Sequence, residues 1–169
     1  MKTVAYKKPK DKTFEYTNEQ MVKDCIAIIG LTEQDTVLDA GSGANKVWFN
    51  NVPCSIKYEC ELEEGNDFFQ WTKPVDWIIG NPPFHCGWLF MEQASKVATK
   101  GIGFLVNGAG LNSNLNPRRL DIVRNNCFEL QHVHIVADKR WYGRYFFLIF
   151  EKKSGMLSWE KKIYGLKKI

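Results

Sequence analysis

Thr36-Val37-Leu38-Asp39-Ala40-Gly41-Ser42-Gly43 reads as a short buried strand cut off by a glycine turn. The two glycines allow a tight strand-to-helix turn and a close approach of a ligand to the backbone. Upstream, residues 18–29 place Met21, Val22, Cys25, Ile26, Ile28 and Ile29 on one helical stripe, with Thr17 or Asn18 as N-cap and Gly30 as the stop. Downstream, residues 55–62 alternate. Ile56, Tyr58, Cys60 and Leu62 fall on one side and Lys57, Glu59 and Glu61 on a wetter one, which predicts a second strand. Gly65-Asn66 marks a turn, and 67–69 is expected to be a very short strand. Residues 75–80 form another apolar strand that runs straight into Asn81-Pro82-Pro83-Phe84. A helix follows over 87–99, then a strand over 101–106 and a helix opened by Pro117 that runs to about residue 126. Strands at 133–137 and 145–150 close the chain, with Tyr142-Gly143-Arg144 as a hairpin turn between them. Strands alternating with helices predict a mostly parallel α/β sheet with helices on both faces, to which the final pair adds an antiparallel edge strand. Ligands of such sheets sit beyond the carboxyl ends of the strands, where both 41–43 and 81–84 fall.

At 169 residues, 44% hydrophobic and 25% charged, the chain is expected to form one folded domain over 1–169, and a wholly disordered protein is excluded. Apolar runs such as 146–150 are far too short to span a bilayer. The opening MKTVAYKKPKDK has no apolar stretch after its lysines, so it does not read as a secretory signal. Five cysteines without a C-x-x-C pair argue against a disulfide scaffold or a zinc ribbon and predict reduced thiols in a cytoplasmic protein. The net charge of +4 is unevenly placed. Residues 1–12 hold five lysines and one acid, residues 151–169 hold six lysines and two acids, and the body between carries 12 basic against 16 acidic residues. Basic ends of this kind are usually solvated faces. On an acidic body they can also clamp a polyanion.

The tetrapeptide Asn81-Pro82-Pro83-Phe84 carries the chemistry. Two successive prolines lack N–H groups, so the backbone there can only accept hydrogen bonds. The Asn81 side-chain oxygen is a further acceptor, and Phe84 adds a flat apolar face. Acceptors beside an aromatic plate suit a planar group bearing an NH2. Such an amine is a poor nucleophile because its lone pair is delocalised into the ring. Two acceptors pulling on its hydrogens localise the lone pair and stabilise the positive charge that develops as the nitrogen is alkylated. Proline pairs are also ordinary loop punctuation. Here the pair follows an apolar strand directly, at the ligand edge, with the glycine turn at another strand end.

With these pieces in place, 39–43 followed by 81–84 resembles the S-adenosylmethionine-dependent amino-methyltransferases of the Rossmann-like class I fold, above all the adenine-specific DNA methyltransferases. Their tetrapeptide is [D/N/S]-P-P-[Y/F/W]. Phe14-Glu15-Tyr16-Thr17 is similar to the family's N-terminal cofactor motif, with Asn18 where proline is usual. Gly65-Asn66-Asp67-Phe68-Phe69 is similar to the segment whose acid meets the cofactor's adenine amino group. Trp141-Tyr142-Gly143-Arg144-Tyr145-Phe146 resembles the late hairpin that lines the target-base pocket. The resemblance covers roughly residues 14–150.

It implies that Asn81, Pro82, Pro83 and Phe84 are catalytic. It places Phe14, Tyr16, Thr17, Asp39, Ala40, Gly41, Gly43, Asp67, Phe68 and Asn81 around S-adenosylmethionine and its product S-adenosylhomocysteine. An acid on the second strand is expected to bind the ribose hydroxyls, Glu61 in the first place and Glu59 in the second, while Glu63 and Glu64 read as solvated. A dinucleotide site of G-x-G-x-x-G type would need glycine at position 46, which is Lys46. The usual third glycine is Asn45, a residue that tolerates left-handed backbone.

Trp141, Tyr142 and Arg144, with Arg118 and Arg119 at a helix start, are the candidate nucleic-acid contacts. His132 and His134 share a strand face and His85 follows the proline motif, but no third ligand is spaced to complete a metal site, and none is expected. Cys86 lacks a histidine arrangement that would make it a nucleophile. The interval between Asp39 and Asn81 leaves little room for the family's usual helix between the second and third strands, and no target-recognition domain is expected. The expected reaction is methyl transfer to the exocyclic amine of adenine in DNA. RNA adenine or a protein glutamine is the alternative acceptor, and a non-catalytic cofactor- or DNA-binding subunit is the alternative class. A partner chain or a second copy is a possible aid to target recognition.

Overall fold

The computed structural model describes residues 17–139, 143–155, 157 and 158. Phe14, Tyr16, Trp141, Tyr142 and most of both basic ends lie outside the described residues. Helix α1 (Glu19–Ile29) starts where the Asn18 side chain accepts the N–H groups of Gln20 and Met21, and it stops at Gly30, whose φ is 72°. The cap is therefore Asn18, which leaves the Thr17 side chain for another task. Strand β1 (Thr36–Ala40) leads through the glycine loop into a short helix α2 (Val47–Asn51), and strand β2 (Ile56–Cys60) follows. Strand β3 (Val75–Gly80), helix α3 (Gly87–Val97) and strand β4 (Ala98–Asn107) come next, the last beginning directly where the helix ends. Helices α4 (Gly108–Asn114) and α5 (Pro117–Asn125) precede strands β5 (Glu129–Val136) and β6 (Tyr145–Glu151).

The six strands form one sheet in the order β2-β1-β3-β4-β6-β5. Strands β2, β1, β3 and β4 pair in parallel, while β6 runs antiparallel to both β4 and β5. The antiparallel element lies at this side of the sheet, as the sequence predicts, one place in from the rim strand β5. Alternate strand residues feed two separate cores. Leu38, Ile78, Ile102, Phe104, Leu148 and Phe150 pack with α3 and α5, whereas Val37, Trp77, Ile79, Leu105, Phe147 and Ile149 pack with α1 and Trp48 of α2. Helices thus cover both faces of a mostly parallel sheet, the Rossmann-like architecture that the sequence predicts. Among the described residues, no helix is long and apolar enough to cross a membrane.

Some local expectations change. Residues 67–69 do not form a strand. Asp67 accepts the N–H of Phe69 and caps a 3-10 turn, Phe68–Gln70, so local side-chain bonding wins over β propensity. The segment between β2 and β3 holds only this turn and another at Leu62–Glu64, with no α-helix. Of the apolar side expected for 55–62, Ile56 at the start of β2 and Leu62 in the turn beyond it are 50% and 53% exposed. Strand β2 is the sheet rim, and both residues overhang the covered part. Lys57, on the wet side, instead donates to the carbonyls of Phe49 and Val52 and closes the C-terminal end of α2. Helix α4, rich in glycine and asparagine, has no apolar period to betray it. It forms because the Asn107 side chain accepts the N–H of Gly110.

Candidate active site

The glycine loop and the proline motif meet at the carboxyl end of the sheet. Strands β1 and β3 are in register with Asp39 opposite Ile79, so Gly41 and Asn81 leave the sheet side by side. Gly80 seals this approach. Its φ is 146°, and a Cβ there would lie 2.9 Å from the Ala40 carbonyl oxygen and 3.1 Å from Asp39 Oδ1, so no larger residue fits. Within the loop, Gly41 and Gly43 take φ values of 79° and 64°, and a Cβ on Gly43 would project into open space. The loop is anchored from beneath, because the N–H groups of Gly41 and Ser42 both donate to the Cys60 carbonyl at the end of β2.

Four carboxylates surround this turn. Asp39 is fully buried. Its Oδ2 accepts the Phe49 N–H at 3.0 Å, and its Oδ1 has no partner among the described residues. Burial pushes its carboxyl up to about 8, against the Phe49 hydrogen bond and with help from the charges of Glu59 and Glu61. Glu59 accepts from the Ser42 hydroxyl at 2.5 Å and from Lys46 Nζ at 2.7 Å. Burial works against its charge, but the Lys46 and Ser42 hydrogen bonds prevail and hold Glu59 below the usual carboxylate range. Glu61, half-buried, accepts the Gly43 N–H at 2.7 Å through Oε2 and the Glu63 N–H at 3.2 Å through Oε1. Lys46 also reaches Glu64 at 2.8 Å, so Glu64 is a tether rather than a free surface carboxylate.

In the proline motif, Asn81 Nδ2 donates to Thr17 Oγ1 at 3.1 Å, while Asn81 Oδ1 is buried with no donor among the described residues. The Pro83 carbonyl is taken by the Cys86 N–H at 3.1 Å and by the Cys86 thiol at 3.6 Å. Burial raises the Cys86 pKa, so this sulfur is a spent donor and not a thiolate nucleophile. Pro82, buried, lies between the two motif ends. Phe84 is 36% exposed, and its ring sits 5.6 Å from that of Tyr145 at the start of β6. The tetrapeptide thus holds one buried, unpartnered acceptor, Asn81 Oδ1, and an aromatic corner formed by Phe84 with Tyr145.

Other expected site residues part company. The Phe68 ring is 3% exposed and stacks on Phe90 at 5.2 Å, so it belongs to the core, and the exposed ring of that segment is Phe69. Arg119 is not a free phosphate contact. Its guanidinium donates to the Ser113 carbonyl at 3.0 Å, also bonds the Ser113 hydroxyl, and lies 4.3 Å over the Trp88 ring, where it fixes the α4–α5 corner. Arg118 and Arg144 are exposed. His132 and His134 stack at 6.2 Å on β5, and among the described residues no cluster of three histidine, cysteine or acidic side chains could hold a metal ion. Sequence reasoning passed over Lys46 and Leu62, while Phe69 and Tyr145 fall within the two stretches it singled out, without a role of their own. A lysine where a glycine loop usually continues was the one available signal.

The residues present fit S-adenosylmethionine on structural grounds. The loop leaves open space over the left-handed Gly43, the Glu61 carboxylate bonds that residue's N–H, and two exposed apolar side chains, Leu62 and Phe69, belong to the turns that follow β2. No protein-family profile and no curated protein sequence matches the chain. Solved structures do. The 23S rRNA methyltransferase ErmE matches with a TM-score of 0.60 at 11% identity over 82% of this chain and 69% of its own. The precorrin-6y C5,15-methyltransferase from Geobacter metallireducens GS-15 matches with a TM-score of 0.61 at 9% identity over 84% and 92%. Magnesium protoporphyrin IX methyltransferase (ChlM) from Synechocystis PCC 6803, crystallised with bound SAM, matches with a TM-score of 0.58 at 14% identity over 80% and 79%. These likenesses establish the fold.

Proposed function

We propose that the chain is an S-adenosylmethionine-dependent methyltransferase acting on the exocyclic amine of adenine in DNA. The observation that carries this reading is the buried, unpaired Asn81 Oδ1 beside the exposed Phe84 ring, next to the glycine loop. An acceptor kept out of water without a partner is costly unless a ligand donor completes it. Asn81 Oδ1 and the Pro82 carbonyl would each take one hydrogen of the amine, while the base lies against Phe84 and the Tyr145 edge. S-adenosylmethionine, when bound, supplies an electrophilic methyl group on a sulfonium. Glu61 would hold its ribose, the Gly41–Gly43 backbone its methionine end, and Asp67 and Leu62 its adenine. Glu59 is ion-paired with Lys46 and also holds the Ser42 hydroxyl, whereas among the described residues Glu61 accepts only the Gly43 and Glu63 N–H groups, which favours Glu61 for the ribose. Asn81 Oδ1 and the Pro82 carbonyl would stabilise the positive charge on the amine nitrogen as its bond to the methyl carbon forms and the methyl–sulfur bond breaks to release S-adenosylhomocysteine, and the extra proton on nitrogen would then pass to solvent. An adenine in a duplex must first be flipped out, at a cost of about a few kcal/mol and less from a single strand.

RNA adenine is the second reading. The fold is shared with an rRNA methyltransferase, and no target-recognition module for duplex DNA is found among the described residues. Labelled cofactor offered to DNA, RNA and protein pools separates the acceptors. Asn81→Ala should reduce transfer by roughly 100-fold or more while S-adenosylmethionine still raises the melting temperature. Full transfer by that variant would remove the proposed chemistry.

A further inference from the structure

We infer that Asp39 makes the site distinguish S-adenosylmethionine from its product, by countering the sulfonium charge that only the methyl donor carries. The inference rests on the cofactor reading given above. The two ligands share their adenine, ribose and amino-acid ends. They differ by one methyl group and by one positive charge on sulfur. A buried carboxyl near that sulfur separates them by charge where shape hardly can.

Asp39 is so placed. It has no exposed surface and lies at the end of β1, just before the glycine loop. Its Oδ1 faces Gly80, where a Cβ would lie 3.1 Å away, and Gly80 directly precedes Asn81. A methyl donor that serves Asn81 from the glycine loop therefore brings its sulfur over the strand ends between which this carboxyl is enclosed. Oδ2 accepts the Phe49 N–H at 3.0 Å, while Oδ1 has no partner among the described residues. A carboxylate buried with one hydrogen bond and no cation is costly, so the group holds a proton, in keeping with its rise to about 8. The neighbouring elements bring no free cation. Strand β2 carries Glu59 and Glu61, both repelling, and Cys60, whose thiol burial keeps neutral. Beyond β2 stand Glu64 and Asp67, and Lys46 before α2 is spent on Glu59 and Glu64. Helix α2 has no titratable side chain, and the charged residues of α1, Glu19, Lys23 and Asp24, are exposed. Strand β3 has Asp76 alone, at its far end, tied to Thr36 and Lys100. A bound sulfonium supplies the missing cation and favours release of the Asp39 proton to solvent. Once the methyl–sulfur bond has broken, the sulfur is neutral and the carboxylate regains a proton from solvent.

The test follows the side-chain carboxyl carbons of the full chain, made with 13C-labelled aspartate, through pH titrations of the free chain and of its saturated complexes with S-adenosylmethionine and S-adenosylhomocysteine. One carbon of the free chain should titrate near 8, assigned to Asp39 by its coupling to the backbone. With S-adenosylmethionine bound, that midpoint should fall by about one pH unit or more, and with S-adenosylhomocysteine it should not fall. Calorimetry should show S-adenosylmethionine affinity rising roughly 5- to 10-fold from about pH 6 to about pH 8.5 beyond any rise in Asp39→Asn, which retains only the ligand's own amine titration. S-adenosylhomocysteine affinity should run parallel in the two chains. Equal midpoints in the two complexes overturn the inference alone, as does a free chain in which Asp39 titrates in the ordinary carboxyl range. Failure of both ligands to bind overturns the cofactor reading along with it. Should Asp39→Asn not fold, the midpoints of the unaltered chain still decide.

Discussion

Asp39 shows how a single buried side chain ties the site to stability. It has no exposed surface, and burial lifts its carboxyl from the ordinary 3.8 to about 8. Between those values the folded chain holds a proton that the unfolded chain has released. Stability contributed by this group is therefore present in acid and falls as pH rises toward 8. Asp39→Asn should flatten the decline in melting temperature from about pH 5 to about pH 8.5, and an unchanged decline would show that the proton resides elsewhere. Asp35, Asp76 and Glu59 act in the opposite window. Despite burial, their hydrogen bonds hold all three below the usual range, so their contribution is present at neutral pH and lost in acid.

At the scale of elements, the cofactor site depends on how the glycine loop is fastened to the tip of β2. Two kinds of fastener are present. The Cys60 carbonyl takes the N–H groups of Gly41 and Ser42, and Lys46 ties Glu59 to Glu64. The second is unusual because Lys46 itself sits in left-handed backbone, with φ 47°, at the start of α2. Its ammonium ties the turn Leu62–Glu64, which directly follows Glu61, to the end of the glycine loop. Lys46→Met should weaken S-adenosylmethionine binding by roughly 3- to 10-fold, with turnover at saturating cofactor unchanged, as calorimetry beside steady-state kinetics would show. A fall in turnover instead would place Lys46 nearer the reacting atoms.

For the whole molecule, gripping a polyanion takes a concentration of positive charge. The body between residues 13 and 150 carries 12 basic and 16 acidic residues, and Arg119 is withdrawn into a structural corner. The lysines of residues 1–12 and 151–169 are the remaining concentration of positive charge. Changing Lys2, Lys7, Lys8, Lys10 and Lys12 to glutamine should make the dependence of single-strand affinity on salt shallower, by up to about 0.7 in log–log slope for each phosphate left without its lysine. An unchanged slope would assign the grip to other basic residues, such as the exposed Arg118 and Arg144.

Much of this architecture was legible without coordinates. The apolar strands at 36–40, 75–80 and 145–150, the capped helix after Asn18 and the Pro117 start are local signals, and short apolar runs bounded by turn and cap residues suffice to place them. The Gly41–Gly43 turn and the Asn81-Pro82-Pro83-Phe84 motif were likewise readable, since each encodes backbone geometry and hydrogen-bond sense in its own residues. What only the tertiary structure decided are the meetings between segments. Thr17 on Asn81, Lys46 between Glu59 and Glu64, Tyr145 beside Phe84, and Phe68 turned inward onto Phe90 all join residues whose neighbours in sequence carry no mark of the encounter. Such partners are chosen when the sheet assembles, because strand order and register, not local propensity, determine which side chains arrive at one edge together.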